Sequence, residues 1–174
     1  YIGDKPALPI LLKGLRRLEY RGYDSAGVAL MCDGKIDRMR SVGKIDNLEE
    51  KAKTVCMNGN IGIAHTRWAT HGGVTEENAH PHFSTSEKLV IVHNGIIENY
   101  RELREKLKEK FEFKSETDTE VLANLIESHY HGDLRLAVEK ALSHVRGTYG
   151  LVAMHVDEPG KLVSARLGSP LVVG

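Results

Sequence analysis

Arg67 has the most specific chemistry to offer. It directly follows a predicted strand and opens a polar stretch of chain, and a guanidinium presents a planar fork of donors that matches a carboxylate. Its neighbours strengthen that reading. Trp68 is the only tryptophan, Thr70 and His71 add short-range hydrogen-bonding groups, and Gly72-Gly73 lets the backbone turn sharply. The ordinary alternative for such an Arg is a surface ion pair. Taken together, His65-Thr66-Arg67-Trp68-Ala69-Thr70-His71-Gly72 reads as the core of a site for a small carboxylate.

Asn94 and Gly95 form the second group. An Asn side-chain amide and a Gly backbone N–H can donate together to one developing negative oxygen, as in an oxyanion hole. Asn-Gly directly after a strand is also a common turn pair. Asp118 follows Thr117 in the first turn of a predicted helix. A carboxylate there is either a dipole-favoured surface group or an acceptor for a substrate ammonium. His65, His71, His80, His82 and His93 lie in one region, with His80-Pro81-His82 a natural ligand pair. Their spacing matches no recognised zinc pattern such as His-Glu-x-x-His, so no metal is assigned. His129 and His131 fall at a helix end, where a cation is favoured. Cys32 ends a predicted strand. Cys56 ends a predicted helix, whose negative end raises a thiol pKa. Both read as structural.

The elements that position these residues follow from periodicity. Leu8, Leu11, Leu12, Leu15 and Leu18 recur at helical spacing, with Gly22 as a stop. Strands are expected at Ser25 to Cys32 and Lys35 to Val42, joined by the hairpin signal Asp33-Gly34. Asp46 is expected to cap a short helix through Val55. A strand at Asn60 to Thr66 leads into an aperiodic loop, Arg67 to Thr85, long enough to suggest function. A strand at Lys88 to His93 ends at Asn94-Gly95. Tyr100 to Lys110 is amphipathic. Thr117-Asp118-Thr119-Glu120 has the form of a capping box opening a helix toward His131, and Asp133 caps the next. Strands follow at Thr148 to Val156, Lys161 to Arg166 and Leu171 to Val173. Few helices sit singly between strands, so an α+β sandwich of antiparallel sheets and helices fits better than repeated βαβ units.

The 174 residues suit one domain, 1–174. Lys plus Arg and Asp plus Glu are 24 each, so the formal net charge is zero. That provides no general attraction to nucleic acid or anionic membrane. No apolar run approaches a membrane span. The first twelve residues, broken by Gly3, Asp4, Lys5, Pro6 and Pro9, do not read as a signal peptide. Two cysteines without a CxxC pair point to a soluble cytoplasmic domain with reduced thiols.

Longer strings carry a resemblance. Leu18-Glu19-Tyr20-Arg21-Gly22-Tyr23-Asp24-Ser25-Ala26-Gly27, His65 to Gly72, His93-Asn94-Gly95-Ile96-Ile97-Glu98-Asn99 and Ser115-Glu116-Thr117-Asp118-Thr119-Glu120 occur in this order. They closely resemble the glutaminase (class II glutamine amidotransferase) domain of the glucosamine-6-phosphate synthase family, the glutamine:fructose-6-phosphate amidotransferases. Arg146-Gly147-Thr148-Tyr149-Gly150 and Gly168-Ser169-Pro170-Leu171 extend the likeness across essentially the whole chain. The resemblance implies the four-layer αββα sandwich of N-terminal-nucleophile hydrolases. It implies hydrolysis of L-glutamine to glutamate and ammonia, without a cofactor. The ammonia would serve C-terminal isomerase domains that convert fructose-6-phosphate to glucosamine-6-phosphate, with homo-oligomers forming through those domains.

By the same resemblance, Arg67 binds the glutamine α-carboxylate, lined by Thr70 and His71. Asp118 takes the α-ammonium, and Asn94 and Gly95 form the oxyanion hole. Trp68 lies over the pocket and governs passage of ammonia, and Arg21 helps order the site. The family's nucleophile is an N-terminal cysteine whose own α-amine is the general base. The chain begins at Tyr1, so the expectation is a domain truncated at both ends, lacking a segment of the form Cys-Gly-Ile-x-Gly before Tyr1. The alternative from another functional class is a glutamine-binding module without catalysis.

Overall fold

Leucines on one face of α1 (Ala7–Arg17) need a sheet to cover them, and the hairpin that follows supplies it. In the computed structural model, which describes all of Tyr1–Gly174, strands β1 (Ser25–Cys32) and β2 (Lys35–Val42) have the expected bounds. The turn between them places both Asp33 and Gly34 at positive φ, the two-residue geometry whose twist matches a hairpin. β3 (Gly62–Arg67) pairs antiparallel on the other side of β1, giving the order β2-β1-β3 with Ser25 opposite Arg67. Alternate residues Ala26, Val28, Leu30 and Cys32 enter a core with Ala7, Leu15, Ile45 and Leu48 of α1 and of α2 (Ile45–Thr54). Asp46 does not cap α2. Lys44 occupies that position with no side-chain hydrogen bond, and Asp46 lies in the first turn, bound to Arg16 at 2.6 Å.

The chain divides into two compact units, Tyr1–Pro81 and His82–Gly174. The second is built on a sheet of order β4-β5-β6-β7, all neighbours antiparallel: β4 (His82–Phe83), β5 (Leu89–Ile97), β6 (Gly147–His155) and β7 (Val163–Leu167). Helices α3 (Tyr100–Leu107), α4 (Asp118–Ser128) and α5 (Leu134–Leu142) pack their apolar faces on Leu89, Ile91, Ile97, Leu151 and Ala153. Thr117 caps α4 by accepting the Glu120 N–H, and Asp133 caps α5 by accepting the Leu136 N–H. Glu120 reaches beyond the cap residue, accepting from the N–H groups of Lys114 and Ser115 at 2.8 and 2.7 Å.

The result is the expected α+β class with antiparallel sheets. Besides the cap of α2, three expectations change. The stretch expected as a loop from Arg67 to Thr85 is buried from Asn78 to His82 and contains β4. Leu171 to Val173 forms no strand; Val172 and Val173 are exposed and find no ladder partner, and the nearest pairing is an isolated bridge between Tyr149 and Gly168. The third change concerns Asn94-Gly95. No helix is long and apolar enough to cross a membrane.

Candidate functional site

In the first unit Arg67 ends β3 with its side chain buried. Its guanidinium folds the following loop around itself, donating to the carbonyls of His71 at 2.6 Å and Gly73 at 3.1 Å. A buried guanidinium needs a counter-charge, and Asp24 lies 3.7 Å from Nη1. Asp24 was not singled out from sequence, yet it organises this corner. Its carboxylate accepts from the Ala69 N–H and from the Ser25 hydroxyl. Its own N–H donates to the Arg67 carbonyl at 2.8 Å. Its role comes from the pairing of Ser25 with Arg67, which periodicity does not record.

Trp68 is 71% exposed, and its ring sits against Gly22. Gly22 has φ +76, and a Cβ there would lie 3.3 Å from the indole, so both backbone and contact call for glycine. Arg21 and Thr70 are exposed, and His71 is half-buried. Arg21, in the turn Glu19–Arg21, and Trp68 are thus brought to the same corner through Gly22.

In the second unit Asn94 and Gly95 do not turn. They lie inside β5, which continues to Ile97 and pairs throughout with β6, Asn94 opposite Gly150 and Gly95 opposite Tyr149. Gly95 takes φ +145, and an added Cβ would collide with the carbonyl group of Thr148. The glycine therefore permits close approach of β6. The Asn94 side chain is exposed and engages no other group, while its carbonyl accepts from the Ser169 hydroxyl at 3.2 Å.

Asp118 is the first residue of α4, buried, and accepts a hydrogen bond from the Ile97 N–H at 2.8 Å. Hydrogen-bonding direction alternates along an antiparallel strand. Glu98 N–H points to the β6 side, where it meets the carbonyl of Arg146, the residue before β6. Ile97 N–H therefore points to the opposite edge, and Gly95, two residues earlier, shares that parity. β4 covers only Val90 and Ile91 on that edge. Asp118 and the Asn94-Gly95 pair are thus brought together at one end of β5.

The five histidines fall in both units. The rings of His65 and His80 meet at 4.3 Å in the first unit. In the second, His82 and His93 bond the hydroxyls of Thr117 and Thr119. No group of three or more His, Cys, Asp or Glu is disposed to hold a metal ion. His129 closes α4, but burial, then Lys140, His144 and His131, push its pKa down, opposing the helix-end preference for a cation. Cys32 is buried, and desolvation followed by Asp37 pushes its thiol up to about 11. Cys56 is exposed, two residues beyond α2.

A family model described as a glutamine amidotransferase domain matches residues 65–169. The chain belongs to this family. The amidotransferase domain is 53% identical to the glutamine–fructose-6-phosphate aminotransferase [isomerizing] of Clostridium perfringens, covering 100% of this chain and 29% of that protein. It is 56% identical to the protein of that name from Idiomarina loihiensis, over 95% of this chain and 28% of the relative. The Aquifex aeolicus protein of the same name is 51% identical, over 100% and 30%. The domain therefore spans about three tenths of the length of these relatives. Among solved structures it resembles glutamine phosphoribosylpyrophosphate amidotransferase from B. subtilis, with a TM-score of 0.79 and 29% identity over 95% of this chain and 36% of that one. Its fold is that of the N-terminal-nucleophile amidotransferases.

Proposed function

We propose that this amidotransferase domain hydrolyses L-glutamine to glutamate and ammonia within a longer enzyme. C-terminal domains of that enzyme use the ammonia to convert fructose-6-phosphate to glucosamine-6-phosphate, in the cytoplasm and as a homo-oligomer through those domains. The observation that carries the reading is the end of β5. There a fixed carboxylate, Asp118, lies beside an exposed Asn amide and a Gly N–H on the strand edge away from β6. Asp118 receives the α-ammonium of glutamine. Asn94 and Gly95 donate to the oxygen of the tetrahedral intermediate. Arg67, held by the His71 and Gly73 carbonyls, receives the α-carboxylate, with Thr70 and His71 beside it. Trp68 covers the ammonia exit, and Arg21 orders that corner.

Neither internal thiol suits the attack, since neither has a free α-amine and Cys32 is buried with a raised pKa. The nucleophile in this reading is a cysteine ahead of Tyr1, as the family resemblance implies. The pairing on β3 supports that placement. Tyr1 and Gly62 exchange backbone hydrogen bonds, and Ile2 pairs antiparallel with Ile61. Each step back from Tyr1 in this register advances one residue along β3. Continued in that register, the fifth residue ahead of Tyr1, the Cys of a Cys-Gly-Ile-x-Gly segment, would stand opposite Arg67.

The test is glutaminase activity of a chain carrying that segment with a free N-terminal cysteine. Release of glutamate and ammonia, lost on Cys→Ala, is the expected result. A folded chain with the cysteine in place and no turnover overturns the reading.

A further inference from the structure

An open groove of about 480 Å³ lies in the second unit, and none of Asn94, Gly95 and Asp118 lines it. That volume is in the range of small-molecule sites. Its floor is apolar, from Leu103 and Leu107 of α3 and Leu125 of α4. Its rim carries four basic side chains, Lys106, His129, His144 and Arg146, and one acid, Glu102.

The basic groups are held on fixed backbone from three elements. His129 ends α4, its N–H donating to the Ile126 carbonyl at 3.0 Å. His144 and Arg146 sit in the connection between α5 and β6, which the buried Asn99 grips twice. Asn99 Nδ2 donates to the His144 carbonyl at 2.9 Å, and Oδ1 accepts from the Arg146 N–H at 2.8 Å. The Arg146 carbonyl also accepts from the Glu98 N–H. The imidazoles of His129 and His144 stack nearly parallel, 5.4 Å apart at 15°.

Glu102 accepts from Lys106 at 2.7 Å and meets only Nη2 of Arg146, at 3.3 Å. One carboxylate thus faces two permanent cations, so the rim is positive even with both imidazoles neutral. Lys140 and His131 add to the same potential at His129. An excess of one cation at the rim, above an apolar floor, favours an anion that carries an apolar body.

We propose that this groove binds a small organic anion, its carboxylate, sulfonate or phosphate group between Arg146 and the His129–His144 pair and its apolar body on Leu103, Leu107 and Leu125. Such binding is independent of glutamine hydrolysis and can fail without affecting it.

The test uses two probes. Benzenesulfonate carries one negative charge across about pH 5–8, the window in which imidazoles titrate, and benzyl alcohol carries none. Ring C–H resonances of His129 and His144 are followed by NMR in the 174-residue chain. Benzenesulfonate is expected to shift both resonances saturably and to raise the pKa of His129. It should bind more tightly at about pH 5.5 than at about pH 7.5, because a protonated His129 adds positive charge. Arg146→Gln keeps the backbone bonds to Asn99 and Glu98, so it should fold normally, which its thermal midpoint checks, and bind about tenfold or more weakly. No saturable shift at either pH, an equal response to benzyl alcohol, or unchanged affinity in both Arg146→Gln and His144→Gln overturns the proposal.

Discussion

The carboxylate of Asp118 accepts a hydrogen bond from the backbone N–H of Ile97 at 2.8 Å, joining the first residue of one helix to the last residue of a strand 21 positions earlier. That bond separates two roles of one side chain, charge and hydrogen-bond acceptor. Asp118→Asn keeps an oxygen for Ile97 and removes the charge. In the cysteine-bearing enzyme, KM for glutamine should rise by about tenfold or more, with kcat changed little and the urea midpoint nearly unchanged. Asp118→Ala also removes the acceptor, leaving the Ile97 N–H unpaired at a cost of about 1–3 kcal/mol. Urea unfolding reads that loss directly.

Asn94→Ala should do the opposite. Its side chain is exposed and ties nothing together. Stability should stay within about 0.5 kcal/mol of the parent, while kcat falls by about 100- to 1000-fold, the usual consequence of losing one oxyanion donor. Steady-state kinetics with calorimetry on the same samples checks both halves. Gly95→Ala, by contrast, should lose stability as well as activity, because its φ of +145 and the Thr148 carbonyl leave no room for a methyl group.

Asp24 is expected to act through the Arg67 loop. Asp24→Ala removes the acceptor for Ala69 and the counter-charge of a buried guanidinium. Amide exchange at Ala69 and through the 70–73 loop should accelerate, and glutamine KM should rise. Arg67→Lys keeps a charge but loses the fork that spans the His71 and Gly73 carbonyls, and the same loop should loosen.

The two internal thiols should differ in reactivity. Cys56 is exposed and should alkylate readily in the native protein. Cys32, buried and with its thiol pushed up to about 11, should label only on unfolding. Intact mass after timed iodoacetamide treatment distinguishes them, and alanine at either position should leave glutaminase activity intact.

Acid should destabilise the second unit through buried imidazole. His155 stacks on Tyr130 at 3.8 Å and accepts the Asp157 N–H on Nδ1, which requires that nitrogen to be unprotonated. Burial holds its pKa below the ordinary 6.5. The unfolded chain therefore binds the proton more readily than the native one. The stability tied to neutral His155 is complete above the unfolded value and is lost as pH falls below it toward the native value. His129, also lowered, contributes with the same sign. Urea midpoints should decline below about pH 6.5, and His155→Gln should flatten that slope even as it lowers the midpoint at neutral pH.

Much of the local structure was legible because its causes are local. Asp33 and Gly34 can both adopt positive φ, so the first hairpin and its strand ends follow from their own residues. Thr117 and Asp133 cap helices within one turn of themselves. The guanidinium of Arg67, the adjacent amide and glycine of Asn94-Gly95 and the acid at Asp118 were likewise readable as residue types in ordered strings.

What the amino-acid sequence determined by itself was most of the helices and strands, the α+β class and the chemistry of these side chains. Tertiary structure decided their roles in packing. Asn-Gly is a turn by local preference, yet pairing with β6 across 147–155 extends β5 through it and points alternate N–H groups to opposite edges. Leu171 to Val173 has strand-forming residues but no partner, and stays exposed. Asp24 looks like an unremarkable acid until Ser25 is set opposite Arg67. In each case the deciding energy comes from hydrogen bonds and ion pairs between residues far apart in the chain, and periodicity carries no record of partners at that distance.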